Sequence, residues 1–151
     1  MKNRFVIAAL MGIVLLVTAC ASGASRYAQI SQSFPELKPG EGRIFFYRAR
    51  TVRGLSAPPP IVLNGEVVGL SRRGAFFYVD RPAGKYVTTV RFGLEYETGF
   101  TLDAGETKYI HTVPLYGAVI GSLRLEVAEP DKAQKEIRKL ILRDEAALAT
   151  Q

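Results

Sequence analysis

Between Arg43 and Val127 the chain breaks into short apolar or aromatic runs of strand length, separated by turn residues. That rhythm leaves little room for anything but a β fold. Arg43-Ile44-Phe45-Phe46-Tyr47-Arg48 is apolar at four successive positions, as in a strand covered on both faces. Ile61-Val62-Leu63 and Val67-Val68-Gly69 flank Asn64-Gly65, a dipeptide that suits a type I′ hairpin because both positions tolerate positive φ. Ala75 to Val79, Tyr86 to Phe92, Gly99 to Leu102 and Thr107 to Val113 read as further strands. Turns fall at Arg81-Pro82-Ala83-Gly84 and Asp103-Ala104-Gly105-Glu106. Thr51 to Pro60, with Gly54 and Pro58-Pro59-Pro60, reads as an exposed loop, since proline removes the donors a central strand needs. In the last strand Leu123, Leu125 and Val127 face one way and Arg124 and Glu126 the other, the pattern of a sheet with one wet face. After Pro130 the period lengthens: Ala133, Ile137, Leu140, Ile141 and Leu148 form one helical stripe flanked by Lys132, Lys135, Arg138 and Lys139. The expected fold is mainly β, a single antiparallel β-sandwich of about seven to eight strands over 41–128 with a C-terminal amphipathic α-helix over 129–149.

The first twenty residues constrain location instead. Lys2 and Arg4 precede an apolar run from Phe5 to Val17 that stops at Thr18-Ala19-Cys20, the layout of a secretory signal. Val17-Thr18-Ala19-Cys20 resembles a lipobox, in which cleavage occurs just before a cysteine already carrying diacylglycerol. A transmembrane anchor is the rival reading and needs about 20 apolar residues. Phe5 to Ala19 is short of that, reaching only about 22 Å as a helix. An uncleaved or simply secreted product with a free Cys20 thiol is the other rival. Cys20 is the only cysteine, so the exported chain has no internal disulfide and the fold must rest on its core. Two or more acyl chains hold a protein firmly at a bilayer. Ala21 follows the cysteine instead of Asp, which by resemblance to enterobacterial sorting implies the outer membrane, facing the periplasm, in a Gram-negative host. The expectation is a signal peptide at 1–19 and a lipidated Cys20 followed by a flexible tether over 20–40.

Removing residues 1–19 of 151 leaves 132, one domain's worth of chain. The tether is rich in Ser, Ala and Gly, and Phe34 and Leu37 are placed to dock on the domain and shorten it. The basic excess is mild and lacks an arginine-rich tract or an RNP-like aromatic pattern, so no nucleic-acid partner is expected.

Gly42 to Arg48, Pro60 to Gly65 with Val68-Gly69, Pro82 to Tyr86 and Ala104 to Ile110 together resemble a family of bacterial lipoproteins known only by a small β-sandwich domain of unknown function. The resemblance covers roughly residues 40–128 and implies a module in the style of transthyretin-like and PEGA-type domains. Its motifs are turns and strands and imply no catalytic or ligand residues.

Catalytic constellations are sparse. His111 is the sole histidine and lies mid-strand on the face of Thr107 and Tyr109, where a structural role is expected. Glu95 and Glu97 share a strand face if extended, and Asp103 and Glu106 flank the next turn; a hydrolase would need such carboxylates across a cleft. Gly69-Leu70-Ser71-Arg72-Arg73-Gly74 has the glycine spacing of a phosphate loop but continues Ala75-Phe76 where Lys-Ser/Thr is required, and is rejected. No catalytic residue, metal ligand or cofactor is assigned.

Two surfaces remain as binding candidates. Arg48, Arg50 and Arg53 enter the Pro-rich loop, while Arg72, Arg73 and Arg81 lie at other turns. If those loops share one end of the sandwich, Arg50, Arg53, Arg72 and Arg73 make an anion-binding patch for phosphate or carboxylate groups. Tyr116, Val119 and Ile120, in an apolar glycine-bounded connection, make a candidate partner surface. The functional expectation is a non-catalytic envelope binding or scaffold module, anchored to the membrane through Cys20 and meeting an envelope protein or an anionic envelope component. The alternatives are an accessory subunit of an envelope or secretion assembly and a carboxylate-based hydrolase.

Overall fold

The computed structural model describes residues 27, 33–50, 57–90, 92, 95–115 and 122–143. Strands β1 (Glu41–Arg48), β4 (Ala75–Pro82), β7 (Thr107–Pro114), β8 (Leu123–Val127) and β9 (Ile141–Leu142) form one sheet in the order β8-β7-β1-β4-β9. Strands β2 (Pro60–Leu63), β3 (Glu66–Leu70), β5 (Gly84–Val90) and β6 (Thr98–Leu102) form a second sheet, β3-β2-β5-β6. The fold is mainly β, two facing sheets with a short helix near the C-terminal end of the described residues.

β1 lies at the centre of the larger sheet, and seven of its eight residues are buried. Its alternation sends Ile44 and Phe46 inward, where they meet Ile61, Leu63, Val68, Phe77, Val90, Leu102 and Ile110 between the sheets. Phe45 and Tyr47 point the other way and join Phe76, Tyr109 and the helix residues Ala133 and Ile137. A strand apolar at every position is therefore satisfied only when the sheet is covered on both sides.

Two segments provide the outer cover. Helix α1 (Pro130–Ile137) starts with Pro130 in its first turn and buries Ala133 and Ile137. Eight residues make a marginal helix in water, so packing against the sheet holds it. The Tyr47 hydroxyl also donates to Glu136 Oε2 at 2.9 Å. The second cover is the chain before β1. Phe34 packs edge-on against Phe45 and Tyr78, and Tyr27 against Phe45 and Phe76. Arg43 fixes this segment: its guanidinium grips both Asp80 oxygens at 2.7 Å, donates to the Pro35 carbonyl at 2.7 Å and lies 4.6 Å from the Tyr78 ring centre. Bidentate charge-assisted bonds of this kind are the strong members of their class. Phe34 docks on the domain as its sequence position suggests, and Leu37 is half-buried. Tyr27, Phe34 and Leu37 thus pack on the domain within the stretch read as a tether.

The turns follow their chemistry. Asn64 and Gly65 have φ of 48° and 87°, both left-handed, closing β2 onto β3. Glu106 donates its N–H to the Asp103 carbonyl at 3.0 Å and accepts the Asp103 N–H on its side chain at 2.8 Å.

Four expectations are corrected. The sandwich is not purely antiparallel: β1 pairs with β7 and β4 with β9 in parallel, because the long connection from β1 to β7 passes through the other strands. The helix ends at Ile137, where Lys139 and Leu140 donate to carbonyls only three residues back and tighten the chain. Ile141 and Leu142 then leave the stripe and pair along β4, which had an open edge, while Leu148 lies outside the described residues. Val127 is exposed because it ends its strand, although Leu123 and Leu125 are buried as the alternation requires. Glu95 to Glu97 are exposed and irregular, not strand. No helix among the described residues is long and apolar enough to cross a membrane.

Phe46 is wholly buried between the sheets, and its replacement by Ala leaves a cavity that costs about 3–5 kcal/mol. Val87 is exposed, and Val87→Thr is expected to stay within about 0.5 kcal/mol of the native protein. Urea midpoints measured for the two variants side by side check the contrast.

Candidate functional site

Four arginines meet where β1 ends and β4 begins. Arg50, Arg72, Arg73 and Arg143 line one depression of about 400 Å³ together with Gly74, Ala75 and Ile141. Among the described residues its walls carry no carboxylate. Backbone geometry places each arginine. Leaving β3, the chain ties Ser71 N–H to the Pro59 carbonyl at 2.8 Å and Arg72 N–H to the Leu70 carbonyl at 2.9 Å, which turns Arg72 and Arg73 outward from the strand. Gly74 closes the turn with φ +73° and donates to the Arg48 carbonyl at 2.9 Å. A Cβ there would lie 2.7 Å from Arg50 Cγ, so the Arg50 side chain runs directly across the glycine. Arg143 arrives from the other side: its N–H donates to the Phe76 carbonyl at 2.9 Å, immediately after β9.

Electrostatically the depression is one-sided. Arg50, Arg73 and Arg143 are exposed, and among the described residues no carboxylate forms an ion pair with them. Beneath them Arg48 is buried and donates to the Ser71 carbonyl at 3.1 Å. Burial, and after it the charge of Arg73, lowers the Arg48 pKa from its ordinary value. Guanidinium groups present paired donors in a plane and keep their charge, which matches the oxygens of a phosphate or carboxylate. Clustered like charges with a low-dielectric floor concentrate the local field and draw anions toward them. The described lining offers charge and hydrogen-bond donors.

The sequence-based patch is therefore partly assembled. Arg50, Arg72 and Arg73 come together as expected, whereas Arg53 lies outside the described residues. Arg48 is not a loop residue but the buried end of β1, since the alternation of the strand carries it inward. Arg81 belongs to the opposite end, 3.7 Å from Glu66. Arg143 was not assigned to the patch; on a continuous helix over 129–149 it is one more solvated cation. Only the parallel pairing of β9 with β4 brings it to the depression. The candidate partner surface of Tyr116, Val119 and Ile120 lies outside the described residues, as does Cys20. Glu95, Glu97 and Asp103 are exposed, and none of them lines the arginine depression. Among the described residues no three metal-ligating side chains of the His, Cys, Asp and Glu types come together.

The chain is similar to an uncharacterized protein of Haemophilus influenzae, with 22% identity over 143 residues that cover 92% of this chain and 84% of the relative. No family model matches the chain, and no solved structure matches it.

His111 sits elsewhere, under α1. Its ring stacks on Tyr47 at 4.5 Å with the planes 3° apart, and Glu126 Oε1 stands 3.6 Å from Nδ1, beyond hydrogen-bond reach. Neither ring nitrogen has a hydrogen-bond partner among the described residues. Burial pushes the His111 pKa below its ordinary 6.5 and outweighs the opposing pull of Glu136 and Glu126. The folded state thus holds a neutral imidazole, while the unfolded chain takes up a proton first as pH falls. Stability is therefore full above about 6.5 and declines from there down to the folded-state pKa. His111→Phe, which keeps a ring against Tyr47, is expected to flatten that slope; urea midpoints measured between about pH 7.5 and 5 check it.

Proposed function

We propose that this protein is a lipid-anchored, non-catalytic binding module of the bacterial cell envelope. The anchor is Cys20, at the end of a signal-like leader, and the working surface is the arginine depression. The observation that carries the binding half of this reading is the convergence of Arg50, Arg72, Arg73 and Arg143 on one depression whose described walls hold no carboxylate. Like charges repel, and a fold gains nothing in stability by gathering the exposed Arg50, Arg73 and Arg143 at one turn cluster. An anionic ligand relieves that repulsion. The resemblance of residues 40–128 to small lipoprotein sandwich domains supports the same address. Binding is the role suited to described lining residues that offer charge and hydrogen-bond donors.

Two measurements test the halves separately. Metabolic labelling with a palmitate analogue is expected to mark the native protein and not Cys20→Ala; label in the variant, or none in the native protein, removes the anchor. For the depression, the purified full chain is expected to be retained on an anionic matrix at low salt and released near 0.15 M, where the Debye length is about 8 Å. Replacing Arg50, Arg73 and Arg143 together by Gln is expected to weaken that retention without moving the thermal midpoint, because exposed charges usually change stability by no more than about 0.5 kcal/mol. Equal retention of both forms removes the arginines from the function.

A further inference from the structure

The segment before β1 has a direction as well as a place. Pro35 meets Arg43 near the start of β1, and Phe34 meets Phe45 and Tyr78 in its middle. Tyr27 meets Phe76, whose register partner is Tyr47 near the end of β1. From Tyr27 to Pro35 the contacts thus descend the outer face of the sheet against the direction of β1. Read backwards from Pro35, they climb toward the end where Gly74 is bonded to Arg48 and where Arg50, Arg72, Arg73 and Arg143 lie. Phe76, under Tyr27, is the neighbour of Ala75, itself part of the depression wall.

Cys20 precedes Tyr27 by seven peptide steps, a reach of at most about 25 Å even when fully extended. The turn at Asp103 to Glu106 is at the far end of β1, where Gly105 donates to Glu41. β1 is eight residues long, which separates the two ends by roughly 25 Å. With Tyr27 packed near the arginine end of the sheet, a tether to a lipid on Cys20 starts from that end and not from the Asp103 end. We infer that the depression formed by Arg50, Arg72, Arg73 and Arg143 takes the phosphate of an anionic phospholipid headgroup in the same leaflet that holds Cys20. This rests on the lipid anchor proposed above. The chemistry is that of a phosphate ester; its source is the adjacent membrane, and the headgroup gives the tethered domain a second point of attachment and a fixed orientation.

A single-cysteine design tests the inference, because Cys20 is the sole native cysteine and is blocked when acylated. Lys139→Cys carries a fluorophore beside the depression, two residues before Ile141, and Ala104→Cys carries one at the opposite turn; both positions are exposed. The full-length proteins purified from cells are reconstituted into vesicles of phosphatidylcholine alone or with phosphatidylglycerol, each doped with a headgroup quencher. The expected result is severalfold stronger quenching at position 139 than at 104 in phosphatidylglycerol vesicles, reduced in phosphatidylcholine and lost when Arg50, Arg73 and Arg143 are replaced by Gln. Circular dichroism confirms that the triple variant is folded. Equal quenching at the two positions, or quenching unaffected by the arginines, overturns the inference while leaving the anchor in place. A saturable response to inorganic phosphate in phosphatidylcholine vesicles, with none to phosphatidylglycerol, overturns it in favour of a free phosphate ligand. Failure of the protein to float with either vesicle, together with fluorophore on Cys20 of the native chain, overturns the anchor itself and the inference with it.

Discussion

Burial of β1 on both faces is the constraint on which the rest of the molecule depends. Ile44 and Phe46 commit one side to the core between the sheets, and Phe45 and Tyr47 oblige the protein to cover the other. A β-sandwich normally leaves its outer faces to water. Here the larger sheet recruits a short helix and the chain preceding β1, and neither would hold its conformation without the aromatic surface beneath it. Arg43 completes the arrangement, because its guanidinium ties Asp80 of β4 to the Pro35 carbonyl and so fastens the covering segment to the sheet.

That coverage determines how charge is distributed. Tyr27 and Phe34 occupy the aromatic face, and the helix occupies the neighbouring part, which leaves the cations of the turns at the rim. At one end the strand β9 fills the edge of β4 and brings Arg143 beside Arg50, Arg72 and Arg73. At the other, Arg81 lies against Glu66 and Lys108 against Glu106 at 2.6 Å. At one end Arg81 and Lys108 thus lie beside carboxylates, and at the other Arg50, Arg72, Arg73 and Arg143 gather around a depression. Exposed pairs such as these contribute little to stability. Their arrangement matters for what the surface attracts.

Much of this is written locally in the chain. Asn64-Gly65 adopts the left-handed pair of conformations that its residue types favour, and the Asp103 to Glu106 turn closes on its own side chain. The strands from Arg43 to Val127 fall where apolar runs and turn residues alternate. The helix was harder to delimit. Ala133, Ile137, Leu140 and Ile141 keep a helical spacing, yet only Ala133 and Ile137 are on the helix, and Leu140 is buried from a turn. Periodicity does not distinguish a continuing helix from a turn followed by a strand when both bury the same residues. Arg50, Arg72 and Arg73 were legible as a patch because each lies at a strand end; Arg143 was not, since its place follows from the pairing of β9.

The sequence by itself determined the local geometry: which segments extend, where they turn, and, through its single cysteine, that no internal disulfide holds them. These properties depend on neighbouring residues and on composition. Tertiary structure alone decided which strands lie side by side, that β1 and β7 run parallel, that Arg43 reaches Pro35 and Asp80, and that Arg143 joins residues 70 to 93 positions before it. Such pairings join segments far apart in the chain, and no short window of sequence specifies a partner; they are selected together, by the one packing that covers both faces of β1.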